Sequence, residues 1–163
     1  MFFINYGAWM EANFGLPLGA LGVATVVIAL AEISGEGIVI AFADRFGKKR
    51  MALIGTGLTV VCHLVLPQLG FSLPLALVGL FVFFLAFELA IVSSLPILSE
   101  ILPTERALVM SANTSAAALG RMGGAWLGGI LYALLGNLGI LSLLTGLIGV
   151  GAVLALWHMV HEG

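Results

Sequence analysis

Apolar residues run along this chain in long stretches, which glycine, proline or charged residues interrupt at short intervals. A bilayer core about 30 Å thick is crossed by about 20 apolar residues in a helix. On that scale the pattern predicts one partial span, because the chain starts inside an apolar segment, followed by five full spans. The predicted spans cover residues 1–14, 17–43, 51–69, 73–101, 107–135 and 138–160. Runs of this length leave no room for the alternation of a transmembrane barrel, so strands are not expected.

The connectors between these spans are short, and short connectors force neighbouring helices to run antiparallel. No linker or change in composition separates one part of the chain from another. The sequence therefore predicts a single all-α membrane domain over residues 1–163.

Composition supports the membrane assignment. The chain is 61% hydrophobic and 9% charged, with a mean hydropathy of +1.21, whereas soluble domains carry about 25% charged residues. The formal net charge of -2 argues against nucleic acid as a partner. The bilayer is the expected partner of this surface.

Catalytic chemistry is not indicated. His63, His158 and His161 are not at metal-ligand spacing with any carboxylate pair. Ser93 and Ser94 have no candidate base nearby in the sequence. We therefore predict no enzymatic activity, no catalytic residue, no metal site and no cofactor.

Basic residues set the expected orientation. They cluster between the second and third spans, at 45–50, and recur as Arg106 between the fourth and fifth, while the opposite connectors carry no charge. The positive-inside rule places the basic connectors in the cytoplasm. The prediction is a multi-pass protein of the cell (inner or plasma) membrane with a cytoplasmic C-terminus.

The segment at residues 43–50, ADRFGKKR, carries a family resemblance. It resembles the cytoplasmic signature of the major facilitator superfamily, G-x-x-x-D-R-x-G-R/K-R/K, except that Ile40 stands at the leading glycine. That departure favours the second copy of the signature, between helices eight and nine. The absence of an arginine near the start of the fourth span also favours the C-terminal half.

Two later segments extend the resemblance. Residues 99–106 are similar to the loop between helices ten and eleven of the family. Residues 120–129 resemble its glycine-rich helix eleven, and also the antiporter signature of helix five, but with Ala125 in place of proline. The chain thus looks like helices seven to twelve, with the first one truncated, and is most similar to bacterial efflux members.

This resemblance implies a six-helix half-bundle of the superfamily fold, built as an inverted three-plus-three repeat. The implied partner is an N-terminal six-helix half, in the same polypeptide or in a second chain. The resemblance also implies a cytoplasmic gate in which Asp44 pairs in one conformation, with Arg45 and Arg106 as candidate partners. The alternative is that the basic residues only fix topology. The gate motif comprises Asp44, Arg45, Gly47, Lys48, Lys49, Arg50 and Arg106.

Four charges fall inside predicted spans. Glu32 and Glu36 are four residues apart and share a helix face, while Glu88 and Arg121 lie near the middle of two other spans. A charge at the bilayer centre costs about 3 kcal/mol on insertion scales. One arginine can neutralise one carboxylate, and in a low-dielectric setting the remaining carboxyls favour the protonated form. These residues are the predicted proton-coupling and substrate site; a static cluster of ion pairs is the alternative.

Small residues recur at helical spacing in the fifth span. Gly120, Gly124 and Gly128 share one face and would permit close helix packing. The family resemblance places that face at the moving interface with the other half, and packing within this half is an equal alternative.

Taken together, the sequence predicts half of a secondary active transporter. Proton-coupled efflux of a small molecule by antiport and alternating access is the favoured mechanism. A structural subunit, a truncated fragment and an oligomeric channel are the alternatives.

Overall fold

The computed structural model describes residues 2–136 and 138–161, and within them it contains helices, turns and no strand. Its helices are α1 Phe2–Phe14, α2 Leu18–Phe46, α3 Lys48–Val65, α4 Leu73–Ile101, α5 Arg106–Leu135 and α6 Leu138–His161, with a 3₁₀ turn at Leu66–Leu69. The prediction of an all-α fold is confirmed.

Proline and glycine mark several of the helix ends. Pro17 precedes α2 with a φ of -66°, and α4 has a proline in its first turn, where the missing N–H breaks no helical bond. Gly136 ends α5 in the left-handed region at φ 58°, which glycine adopts without a Cβ penalty. The backbone thus sets these boundaries more directly than hydropathy does.

The connection between α2 and α3 differs from the expectation. The sequence pattern predicts a charged connector at 44–50, but in the structure it is the single residue Gly47, with φ 88° and ψ 129°. The charged residues on both sides of Gly47 therefore belong to α2 and α3. A helix ends where the backbone turns, and long charged side chains can extend toward water from a helical backbone.

α3 and α4 form the centre of the bundle. α2 packs mainly on α4, and α6 packs mainly on α3, while α1 and α5 make fewer contacts with the rest. The buried core holds Trp9, Met10, Ala24, Ile28, Ala31, Cys62, Leu66, Ala76, Leu80, Phe83 and Phe84. His63 of α3 lies edge-on to Phe83 of α4, with ring centroids 4.8 Å apart.

Glycines allow the closest approaches between helices. A Cβ built on Gly55 of α3 would lie 2.5 Å from the backbone nitrogen of Ala90 of α4. A Cβ on Gly149 of α6 would lie 2.6 Å from Val60 of α3. Small residues at such positions let helix backbones pack at short range, as in membrane helix pairs.

The outer surface is apolar over much of its extent. In the part of the chain that the structure describes, four helical segments have the length and hydropathy to cross a membrane: Leu21–Phe46, Lys48–Leu69, Leu73–Ile101 and Arg106–Leu135. Gly139–Ala155 is a shorter apolar helix. The chain exposes 9405 Å², whereas a compact water-soluble monomer of its 17.0 kDa exposes about 7,700 Å². Large apolar side chains such as Ile40, Trp126 and Leu134 are 82%, 68% and 76% exposed. Such a surface suits a lipid environment.

Candidate functional site

Three carboxyl groups converge where α2 packs on α4. A Cβ built on Gly35 of α2 would lie 2.8 Å from the Cβ of Glu88, so the two backbones are close at this level. Gly35 is flanked on the same helix by Glu32 and Glu36, and both lie near enough to Glu88 to interact with it electrostatically. Glu32 and Glu88 are half-buried and Glu36 is exposed.

The depth of this acidic cluster, Glu32, Glu36 and Glu88, follows from the helix bounds. Glu32 lies near the middle of the apolar segment Leu21–Phe46, and Glu88 lies near the middle of Leu73–Ile101. The cluster therefore lies far from both ends of the helices. At such a depth, a charged carboxylate is costly unless it is paired or hydrated.

Arg121 does not join the acidic cluster in this structure. It lies near the middle of α5 and its side chain is exposed. Ion pairs within 4.0 Å among the described residues do not include a contact from Arg121 to any of the three glutamates. Its assignment to the same site stays a prediction.

A second charged site lies at one end of the bundle, where α2 and α4 finish and α3 begins. This part of the molecule is here called the basic end. Lys48 Nζ donates to Glu100 Oε1 at 2.8 Å, which ties the first residue of α3 to the last turn of α4. This cross-helix pair lies on the rim of a cleft of about 610 Å³. The cleft is lined mainly by residues 43–50, with Ile97 and Glu100 from α4.

Asp44 lies in the last turn of α2 and also lines this cleft. It is exposed, and within residues 2–136 and 138–161 it forms no ion pair with Arg45 or Arg106. Lys48 interacts electrostatically with Asp44. The gating partnership of Asp44 stays a prediction.

The glycine face of α5 is only partly in contact with the rest of the chain. A Cβ on Gly120 would meet nothing within 4 Å, whereas Gly128 is buried. The described neighbours thus leave the Gly120 level open, and the role of Gly120, Gly124 and Gly128 at an interface stays a prediction.

The sequence pattern does not identify the partner of Lys48. It places Glu100 in the segment 99–106 that resembles a family loop, and not among the site residues. A usable signal was present, because Glu100 ends a predicted span on the same side of the membrane as the basic connector. Opposite charges at adjacent helix ends on one side are candidates for pairing.

These features define a multi-pass membrane protein with charge held at mid-depth between helices. The family model described as Major Facilitator Superfamily matches residues 1–162. The chain therefore belongs to the major facilitator superfamily, a family of membrane transporters. No curated protein and no solved structure matches it.

Proposed function

We propose that this chain is the C-terminal half of a proton-coupled transporter that exports a small molecule by alternating access. The observation that carries the proposal is the convergence of Glu32, Glu36 and Glu88 at mid-depth between α2 and α4. The ion pairs among the described residues give none of the three a basic partner within 4.0 Å. A carboxyl in that setting exchanges a proton when its hydration or its neighbours change.

The proton mechanism follows from the position of the three carboxyls. The proposed carrier is one of them, and it would take up and release a proton as its surroundings change. A movement of this half against its partner half that opens the cluster to water on one side would stabilise the ionised form and release the proton. The reverse movement, with access from the other side, would favour proton uptake. Coupling arises because the same movement exposes the substrate cavity to opposite sides of the membrane.

Assignment to the C-terminal half rests on sequence motifs. Ile40 replaces the leading glycine of the signature that ends at Arg50, and α4 has no arginine near its start. The exposed apolar faces of α2 and α5 are suited to an N-terminal half as the partner. The direction of transport, efflux, is proposed from the glycine-rich run at 120–129 of α5.

Glutamine substitutions of the acidic cluster test proton coupling. We expect Glu88→Gln, and Glu32→Gln or Glu36→Gln, to abolish uphill export driven by a pH gradient while substrate binding is retained. Glutamine keeps the shape of the side chain but cannot exchange a proton. Everted membrane vesicles with an imposed pH gradient would be incubated with each member of a panel of dyes and sugars. Transport would be measured as quenching of dye fluorescence or as uptake of the sugar.

Glu11→Gln is the matched control, because Glu11 is exposed on α1 and lies outside the cluster. It removes the same charge and should export at the parental rate. Normal pH-driven export in all three cluster variants would reject the proton-carrier role.

The gate is tested separately at the basic end. We expect Asp44→Asn to slow transport several-fold without lowering the amount of protein in the membrane, because the carboxylate is proposed to hold one conformation closed. Transport initial rates would be divided by the membrane content determined by immunoblot. An unchanged transport rate would reject the gating role of Asp44. Arg45 and its basic neighbours would then serve only to fix the orientation of the helices in the membrane.

A further inference from the structure

The cleft at the basic end has a charge pattern that the transport proposal does not use. Four basic side chains line it, Arg45, Lys48, Lys49 and Arg50, against two acidic ones, Asp44 and Glu100. Glu100 is occupied by Lys48 at 2.8 Å. Apart from the Lys48–Glu100 pair, Arg45 and Arg50 face the single acid Asp44 in the lining. This leaves an excess of positive charge that a bound anion would balance.

The shape of the connection concentrates this charge. Because α2 and α3 are joined by the single residue Gly47, the basic residues on its two sides are held around one concave space of about 610 Å³. Gly47 has no side chain to cap the start of α3, so the first N–H groups of that helix add donors at the same place. Guanidinium groups such as those of Arg45 and Arg50 suit phosphate oxygens, which they can contact bidentately.

An apolar surface continues from the cleft along α2. Phe46 lines the cleft and is 55% exposed, and Phe42, one turn earlier, is 42% exposed. The two rings lie 5.9 Å apart. A ligand with a phosphate in the cleft could therefore lay an acyl chain over Phe46 and Phe42 toward the bilayer interior.

We propose that this cleft binds the phosphate headgroup of an anionic membrane phospholipid. The ligand's phosphate balances the basic lining, and its acyl chain covers the two phenylalanines. A phospholipid headgroup and soluble inorganic phosphate would both present a phosphate group to this cleft, so the test distinguishes these two ligands. The site belongs to the membrane surface and does not depend on the direction or the coupling of transport.

Native mass spectrometry of the full-length natural protein tests whether the cleft retains an anionic phospholipid. The purified protein would be equilibrated with detergent micelles that contain equal amounts of phosphatidylglycerol and phosphatidylcholine. We expect retained phosphatidylglycerol to exceed phosphatidylcholine several-fold. The double variant Arg45→Gln/Arg50→Gln should lose most of that preference, and Arg45→Lys/Arg50→Lys should keep part of it, because lysine retains charge without bidentate geometry.

Arg106→Gln is the matched control, since Arg106 starts α5 and is not among the residues that line the cleft. It should retain phosphatidylglycerol as the parent does. An equal loss in Arg106→Gln would show general charge attraction and would overturn the site, as would an unchanged preference in the double glutamine variant.

A second arm distinguishes the sources of phosphate. The same protein in phosphatidylcholine micelles alone would be titrated with inorganic phosphate and examined for a phosphate adduct. The lipid assignment predicts no adduct at millimolar phosphate and no displacement of phosphatidylglycerol. A stoichiometric adduct that disappears in the double glutamine variant would overturn the lipid as ligand and assign the cleft to soluble phosphate.

A separate variant tests the acyl-chain surface without altering the charges. Phe42→Ser/Phe46→Ser keeps every basic group of the cleft and is expected to reduce phosphatidylglycerol retention several-fold. Retention at the parental level would overturn the placement of the acyl chain along α2.

Discussion

Two glycines of α3, Gly55 and Gly57, have different surroundings and therefore different roles in packing. Gly55 faces the backbone of α4, whereas Gly57, two residues later, has nothing within 4 Å of the position where its Cβ would lie. Helix propensity alone favours alanine over glycine at either position. Packing therefore decides which glycine is required.

We expect Gly55→Ala to lower the free energy of unfolding by about 1–3 kcal/mol, because the new methyl group would press on backbone that cannot move aside. Gly57→Ala should leave stability unchanged or raise it by up to about 1 kcal/mol. Unfolding in mixed micelles, followed by circular dichroism as a denaturing detergent is titrated, would measure both. Equal stability of the two variants would contradict the close approach of α3 and α4.

The candidate site could be predicted from the sequence at some residues and not at others. The cost of charge in a membrane identified Glu32, Glu36 and Glu88 as unusual, and helical spacing related the first two. Spacing could not show that Gly35 brings α2 onto α4 beside Glu88. It also could not show that Arg121 has no close contact with these carboxylates in this structure, because the rotation of α5 depends on packing.

At the scale of elements, the pair Lys48–Glu100 is a charged contact between the start of α3 and the end of α4. The side chains are 35% and 61% exposed, so the attraction is weak and is reduced by salt. Its contribution is to hold two helix ends in register next to the cleft.

Charge reversal tests this link. Lys48→Glu and Glu100→Lys alone should each destabilise the protein, and the double swap should restore part of the loss because opposite charges again face each other. Thermal unfolding in detergent at low salt would give the coupling between the two positions. The coupling should vanish in about 1 M salt, where the Debye length is about 3 Å; a coupling that persists there would require a contact other than the ion pair.

Element boundaries also show a limit of sequence analysis. Charge at 44–50 suggested a loop, yet Asp44 and Arg45 complete α2, and Lys48 begins α3. Long basic side chains reach the headgroup region from a helical backbone. The apolar pattern therefore stops before the helix itself ends. By contrast, the long apolar runs identified the helical class without ambiguity, because backbone groups in lipid must be bonded within the segment.

At the scale of the whole molecule, the apolar surface determines how the protein behaves. Its exposed area exceeds that of a compact soluble monomer of the same mass, and much of it comes from leucine, isoleucine, valine and phenylalanine. In water this surface would drive association. In a bilayer it faces lipid, or it faces another helical unit.

We therefore expect the protein to remain in the membrane pellet after washes with high salt or alkaline carbonate, and to be released by a nonionic detergent. Immunoblots of pellet and supernatant would measure the distribution, with a peripheral protein of the same membranes as the control that the wash releases. Release by carbonate alone would contradict membrane-spanning helices.

The single-residue connection at Gly47 has a practical consequence for spectroscopy. A peptide tag inserted there would have to break a left-handed backbone turn between two helices, and it would disturb α2 and α3 together. The connector between α4 and α5 has four residues, 102–105, all exposed, and offers a better site for a tag or fluorophore. Spin labels on α2 and α3 should therefore report a nearly fixed separation near Gly47, whereas labels on α4 and α5 have the slack to reveal movement.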